Sequence, residues 1–180
     1  MLGVLSSRFD LVVTHEPGPY NYRFVLSVLR EVLGDFRVVD STYSVILIRT
    51  GNPYGAIDKL RSRADDLAVV YRVIPVDKVL DPYVEVVAEE AYRLASERIP
   101  EDKSYRVSLR GRLYWRETRL PASTIDAIKV IAERINRRVS LENPDYVVYV
   151  RSIKFYHRRR VATLTVTERE NILSLKSGKP

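Results

Sequence analysis

In the first half of the chain, some apolar segments have the pattern of a strand and others have the spacing of a helix. Four short runs rich in β-branched residues predict strands, at residues 9–15, 36–40, 43–50 and 67–77. Between the first two, apolar residues recur at helical spacing from Phe24 to Leu33, and Gly34 ends the pattern. Asn52 and Pro53 are suited to cap and begin a second helix. The predicted order, β-α-β-β-α-β, is the ferredoxin-like arrangement.

The second half predicts another α/β unit. Residues 81–100 carry an apolar stripe at helical spacing, with Asp81 as the expected cap and Pro82 as the first helical residue. In residues 105–110, apolar side chains alternate with arginines, which predicts a strand with one buried and one charged face. The stretch STID (123–126) resembles a capping box and begins a helix. The side chains expected inside are those of Ile125, Ile128, Ile131, Ala132 and Ile135.

Two more strands are predicted at residues 145–153 and 160–167, joined by a very basic connection. The whole pattern predicts an α+β protein with an N-terminal ferredoxin-like domain over residues 1–80. An α/β domain would follow over residues 81–173, and residues 174–180 would form a tail.

The composition favours a soluble, cytoplasmic protein. Hydrophobic residues make up 46% of the 180 positions, yet no run of apolar residues is long enough for a membrane span. The chain has no cysteine, so disulfides and thiolate metal sites are excluded. It also lacks glutamine and uses arginine far more than lysine, which is typical of a heat-adapted source.

Positive charge is concentrated in one region. Residues 1–102 carry 12 basic and 16 acidic side chains, whereas residues 103–160 carry 15 basic and 5 acidic ones. The first segment therefore has a net charge of −4 and the second of +10, within a chain of net charge +7. Such asymmetry indicates a polyanionic partner, with a solvated basic surface as the alternative.

The stretch from Tyr105 to Pro121, YRVSLRGRLYWRETRLP, holds five arginines and no lysine. Arginine binds phosphate bidentately and also stacks on bases. Tyr114 and Trp115 could stack an unpaired base, although Trp115 could equally anchor the core. The helix beginning near Ser123 would offer free N–H groups to an anion. The predicted nucleic-acid-binding residues are Arg106, Arg110, Arg112, Tyr114, Trp115, Arg116, Arg119, Ser123, Thr124, Lys129, Arg151, Lys154, Arg158, Arg159 and Arg160.

Candidate catalytic groups are sparse. The two histidines, His15 and His157, lie far apart and have no metal-ligand spacing. The seven glycines form no phosphate-binding loop. The sequence therefore predicts no catalytic residue, no metal site and no cofactor, and favours a binding protein over an enzyme.

Three stretches in the second half resemble the THUMP domain, an RNA-binding module of tRNA-modifying enzymes. They are SYRVSLRGR, STIDAIKVIAERIN and VSLENPDYVVYVRSI, within residues 81–170. Ser140 stands where the family commonly has Asp. The resemblance implies that a ferredoxin-like domain precedes the module and that the two together grip the acceptor end of tRNA.

The stretches VILIRTGNPYGAIDKLRSR and YRVIPVD further resemble archaeal THUMP proteins that act as adaptors for tRNA cytidine acetylation. Those proteins present tRNA to a separate N-acetyltransferase, which forms N4-acetylcytidine. Because the chain ends soon after its THUMP-like region, we expect no catalytic domain. Two alternatives stay open: an RNA-binding subunit or fragment of a thiolation or methylation enzyme, and a protein whose basic face docks on an acidic protein or lipid surface.

Overall fold

The computed structural model describes residues 9–154 and 159–175. They form two compact units, unit 1 with residues 9–76 and 170–175, and unit 2 with residues 77–169. Each unit contains one five-stranded sheet. Within the described ranges, no helix has both the length and the apolar character needed to cross a membrane.

Unit 1 has the ferredoxin-like order predicted from the sequence. Its elements are β1 (Leu11–His15), α1 (Pro19–Leu33), β2 (Arg37–Ser41), β3 (Val45–Arg49), α2 (Pro53–Arg61) and β4 (Val70–Pro75). The four strands lie in the order β4-β1-β3-β2, with every neighbouring pair antiparallel. The fold class is therefore confirmed for this half of the chain.

Local signals explain most of unit 1. The Asn52 side chain accepts a hydrogen bond from the Gly55 N–H at 3.1 Å and caps α2, with Pro53 as its first residue. Helix α1 buries Val25, Val28 and Leu29, whereas Phe24 is 46% exposed. Phe24 begins the apolar pattern of α1 but lies outside its buried face, which is narrower than the apolar stripe.

Unit 2 is a mixed sheet with two helices. Its elements are β5 (Lys78–Leu80), α3 (Val84–Arg98), β6 (Ser104–Arg110), α4 (Thr124–Glu133), β7 (Arg138–Val139), β8 (Tyr146–Lys154) and β9 (Arg160–Glu168). The order is β5-β9-β8-β6-β7, in which β6 runs parallel to both β7 and β8. Side chains from α3, α4, β6, β8 and β9 form one core cluster, so both helices cover the same sheet face.

Two expectations about the helices of unit 2 are wrong. Helix α3 begins at Val84 and has Tyr83 at the N-cap position, with no side-chain cap from Asp81. The Val84 N–H instead donates to the Tyr114 carbonyl at 2.9 Å, so a distant loop replaces the local cap. Ile125, expected inside, is 71% exposed, because the buried line of α4 passes through Ala127 and Ile131.

The sheets divide the chain slightly differently from the predicted boundaries at residues 80 and 173. Strand β5 pairs with β9 and so belongs to unit 2. Beyond a 3₁₀ turn at Arg169–Asn171, the short strand β10 (Leu173–Ser174) pairs with β4 in unit 1. Short edge strands of this kind carry too few residues to be assigned from their pattern alone.

Candidate nucleic-acid interface

Strand β6 exposes the first of the predicted arginines. Tyr105 and Val107 point into the core, while Arg106 and Arg110 alternate with them and are exposed. The Arg106 guanidinium donates from Nη1 to the Leu141 carbonyl at 2.8 Å. That contact uses a neutral acceptor, so Arg106 keeps its full positive charge on the surface.

Arg110 lies beside a second arginine. The parallel pairing of β6 and β8 sets Arg110 opposite Arg151. Neighbouring strands are about 4.8 Å apart, and like charges at paired positions repel one another. Arg151 is half-buried and directs Nη1 to the Tyr149 hydroxyl at 3.5 Å. An anion placed between the two guanidinium groups would relieve the repulsion.

Gly111 carries the chain out of β6. Its φ is 83°, and a Cβ added here would lie 2.7 Å from the Ser152 carbonyl oxygen on β8. Both facts demand glycine at this position. The chain can therefore leave the sheet immediately after Arg110 without moving away from β8.

Residues 111–122 form a loop between β6 and α4, which we call the arginine loop. The Ala122 N–H donates to the Leu113 carbonyl at 2.9 Å, and Arg112 Nη1 donates to the Ala122 carbonyl at 3.1 Å. These contacts close the base of the loop. Arg116 and Arg119 lie beyond it and are exposed.

The outer end of the arginine loop is a tight turn. The Trp115 N–H donates to the Leu120 carbonyl and the Arg119 N–H donates to the Trp115 carbonyl, both at 2.9 Å. Arg119 has a φ of 64°, a conformation that costs a non-glycine residue about 1–3 kcal/mol. The Arg119 guanidinium lies 4.8 Å from the centroid of the Tyr83 ring and donates to the Tyr83 hydroxyl.

The two aromatic residues of the loop are both half-buried. Trp115 packs against the core cluster of unit 2, which favours the anchoring role over base stacking. Tyr114 makes single bridges to Tyr83 and Pro121, and its ring centroid lies 5.9 Å from the Arg160 guanidinium. The tyrosine ring thus joins the loop to the start of β9.

The N-terminus of α4 follows the arginine loop. Ser123 is the N-cap, and its hydroxyl accepts the Asp126 N–H at 3.1 Å. This bond is the one that the capping-box pattern predicts, and Ser123 and Thr124 are both exposed. Lys129 is also exposed, further along the same helix.

The basic hairpin supplies the remaining residues. Lys154 pairs with Arg160 at the end of the β8–β9 ladder. Arg160 donates from Nη1 to the Ser152 hydroxyl at 3.0 Å, and Arg159 is half-buried just before β9. Arg158 and His157 lie outside the described residues. The pairing of β6 and β8 thus joins Arg110 to Arg151, and a separate contact places Arg160 against the Tyr114 ring.

We call the predicted basic residues that the structure describes the site cations: Arg106, Arg110, Arg112, Arg116, Arg119, Lys129, Arg151, Lys154, Arg159 and Arg160. None of them forms an ion pair within residues 9–154 and 159–175. Arginines elsewhere do form ion pairs, for example Arg98 with Asp77 at 2.6 Å. The site cations are thus available to an external anion.

The Asp145 carboxylate connects the starts of strands β6 and β8. Asp145 accepts the Ser104 N–H at 2.9 Å and the Ser104 hydroxyl at 3.1 Å, and these bonds lower the pKa of Asp145. The Asp145 N–H donates in return to the Ser104 hydroxyl at 3.2 Å. This exchange joins the first residue of β6 to the residue before β8, and so fixes the strands that carry Arg110 and Arg151.

Two residues of the site were not predicted from the sequence. Glu85 accepts the Arg116 N–H on both carboxylate oxygens, at 2.9 and 3.2 Å, and Tyr83 contacts Arg119. Both lie at the start of α3, some thirty residues before the arginine loop. No local pattern signals a contact of that range. In the part of the chain that the structure describes, no group of three His, Cys, Asp or Glu side chains could hold a metal ion.

No protein-family model matches the sequence, and no curated protein matches it. Several solved structures resemble it in fold. PH1313 from Pyrococcus horikoshii Ot3 has a TM-score of 0.61 and 15% identity, over 89% of this chain and 55% of that one. A 4-thiouridine synthetase in an RNA complex with bound ATP has a TM-score of 0.53 and 12% identity, over 89% and 42%. TrmN from Thermus thermophilus has a TM-score of 0.53 and 16% identity, over 87% and 44%.

The chain spans about half the length of these proteins, from 42% to 55%. At identities of 12–16% the similarity is one of fold. It supports a THUMP-like α+β architecture, with a ferredoxin-like unit joined to a mixed α/β unit, as the sequence resemblance implies.

Proposed function

We propose that the protein binds tRNA near the acceptor end through unit 2 and serves as an adaptor for a separate cytidine N-acetyltransferase that forms N4-acetylcytidine. The observation that carries the proposal is the set of site cations without a carboxylate partner among the described residues. Cations that the fold leaves unneutralised on one unit favour a polyanion.

The arrangement of these cations fits a phosphate backbone. Arg110 and Arg151 stand side by side, so one phosphate could receive hydrogen bonds from both guanidinium groups. Arg116 and Arg119 extend the positive charge along the exposed outer part of the arginine loop. Arg106, about 13 Å from Arg110 along β6, would reach a more distant phosphate.

Unit 1 has a different role in this proposal. Residues 1–76 carry 9 basic and 8 acidic side chains, a net charge of +1, whereas residues 77–169 carry 19 and 14, a net charge of +5, so unit 1 offers less attraction to phosphates. We assign to unit 1 the setting of distance along the tRNA or the contact with the acetyltransferase. The adaptor role itself rests on the sequence resemblance, and the similarity in fold to a 4-thiouridine synthetase solved with RNA supports the nucleic-acid part.

The second candidate is the RNA-binding part of an enzyme that thiolates or methylates tRNA. The observation in its favour is that this chain covers only 42% of the 4-thiouridine synthetase and 44% of TrmN. In this case the same site cations would hold the tRNA, and a catalytic domain on another chain or segment would act on it.

A survey of modified nucleosides in tRNA from a strain lacking the gene separates the two candidates. The adaptor proposal predicts that N4-acetylcytidine disappears and that other modifications stay at wild-type levels. Loss of a thiolated or methylated nucleoside with N4-acetylcytidine intact would contradict the adaptor and support the second candidate. Re-expression of the wild-type chain is the control that attributes the change to this gene.

A further inference from the structure

The arginine loop is held to the first turn of α3 by contacts that its own sequence does not supply. The Tyr114 N–H donates to the Pro82 carbonyl, and the Val84 N–H donates to the Tyr114 carbonyl, both at 2.9 Å. The second bond satisfies an N–H that would otherwise lack a partner at the start of α3. Loop and helix therefore complete each other's backbone hydrogen bonds.

Beyond Tyr114 the attachment passes to side chains of α3. Both carboxylate oxygens of Glu85 lie within hydrogen-bonding distance of the Arg116 N–H, at 2.9 and 3.2 Å. A hydrogen bond to an ionised acceptor is about twice as strong as one between neutral groups. The Tyr83 hydroxyl and ring meanwhile hold the Arg119 guanidinium. The ends of the turn from Arg116 to Arg119 are thus fixed from outside the loop.

The negative charge of Glu85 is unfavourable on an RNA-binding surface. A carboxylate beside Arg116 repels phosphates and lowers the local positive potential. Glu117, on the turn itself, is an exposed carboxylate with no hydrogen bond or ion pair to any described residue. Glu85 and Glu117 therefore place the same charge near the arginine loop. They differ in that only Glu85 accepts a hydrogen bond from the loop backbone.

We infer that Glu85 is a positioning residue, which orders the arginine loop for RNA through its bond to the Arg116 N–H. The inference rests on the proposed function of unit 2. It predicts an effect opposite in sign to simple electrostatics. Removal of the Glu85 carboxylate weakens RNA binding although the surface becomes more positive, because the arginines of the loop lose their fixed geometry.

Three variants test the inference in the full chain: Glu85→Ala, Glu85→Gln and Glu117→Ala. The amide of Glu85→Gln keeps an oxygen that accepts the Arg116 N–H, so this variant removes charge without removing the contact. We expect tRNA affinity to fall about fivefold to tenfold in Glu85→Ala. Affinity stays at or above the wild-type value in Glu85→Gln and in Glu117→Ala.

The single tryptophan of the chain, Trp115, lies in the arginine loop and reports its order without RNA. In Glu85→Ala we expect the Trp115 emission to shift to the red and to be quenched more readily by acrylamide. Wild-type emission is expected in the other two variants. Thermal unfolding of each variant separates loss of loop order from loss of the fold.

The outcomes distinguish the inference from the proposed function. If the wild-type chain does not bind tRNA, the proposed function fails, whatever the fluorescence shows. If it binds and Glu85→Ala behaves like Glu117→Ala in both affinity and emission, the inference is overturned and the proposed function stands. If the emission shifts and the affinity is unchanged, the loop is ordered by Glu85 but is not an RNA contact, which also overturns the inference.

Discussion

Arg110 on β6 and Arg151 on β8 occupy paired positions on parallel strands, and neither forms an ion pair with a described residue. Replacement of Arg110 by Ala should therefore remove a phosphate contact without loosening the fold. We expect weaker tRNA binding, a slope of log affinity against log salt that is smaller by about one, and a melting temperature within a few degrees of wild type. Anisotropy titrations at several salt concentrations, with thermal unfolding in parallel, measure both quantities.

Arg93→Ala is the matched control for Arg110→Ala. Arg93 lies on α3 of the same unit, but it pairs with Glu89 at 3.8 Å and Glu90 at 3.3 Å. Its charge is already neutralised locally, so the salt slope should stay at the wild-type value. Equal losses of affinity in both variants would mean that only net charge matters and that β6 is no special contact.

Helix α4 offers a matched pair for the core of unit 2. Ile131 is fully buried, whereas Ile125 is 71% exposed. We expect Ile131→Ala to lower the free energy of unfolding by roughly 2–5 kcal/mol and Ile125→Ala to change it by less than about 0.5 kcal/mol. Urea denaturation measures both. A large loss in Ile125→Ala would show that α4 buries a different face.

A comparison of substitutions at Gly111 and Gly34 separates the cost of steric crowding from the cost of backbone strain. Their φ values are 83° and 73°, but a Cβ at Gly111 would lie 2.7 Å from the Ser152 carbonyl, while one at Gly34 meets nothing within 4 Å. Gly34→Ala should cost roughly 1–3 kcal/mol for its positive φ, because its ψ of −119° lies outside the left-handed helical region. Gly111→Ala should cost clearly more, because strands β6 and β8 must separate. Chemical denaturation measures both variants. Equal losses of unfolding free energy would contradict the close approach of Gly111 to strand β8.

The protein should become less stable as the pH is lowered, because of His15. The side chain is fully buried and burial lowers its pKa, while Nδ1 lies 2.7 Å from the Glu16 carbonyl and Nε2 has no partner among the described residues. The unfolded chain therefore takes up a proton first, near the ordinary value of 6.5. The stabilisation is complete above that pH and is lost as the pH falls below it.

We expect the free energy of unfolding to decrease between about pH 7.5 and about pH 5.5. His15→Phe removes the titrating group and keeps a flat ring of similar size, so the decrease should become shallower. Urea denaturation across this range gives the slope for both proteins. An unchanged slope in the variant would assign the pH dependence to other groups.

Local patterns predicted the elements that local contacts determine. The caps at Asn52 and Ser123 were identified from residue type and position, and both make the expected side-chain bond. The order of strands and helices followed from periods of apolar residues, and the ferredoxin-like order of unit 1 is confirmed. Alternation along β6 correctly separated Tyr105 and Val107 from the exposed arginines.

Contacts between distant segments could not be predicted in this way. The arginine loop was recognised by its composition, but its attachment to Tyr83 and Glu85 depends on how α3 packs. The same attachment explains why α3 lacks the expected cap, since Tyr114 supplies the missing acceptor. Ile125 was misplaced because one turn of a helix cannot define which of several apolar residues faces the core.

The central claim is that the site cations hold the acceptor end of tRNA. Its most direct test is the binding of a full tRNA and of the same tRNA without its 3′ CCA, each at several salt concentrations. We predict that affinity falls steeply with salt, by roughly 0.7–0.9 in the slope for each phosphate contact, and that loss of the CCA weakens binding further. Equal affinity for both tRNAs would contradict the acceptor-end contact, and no binding of either at moderate salt would contradict tRNA as the partner.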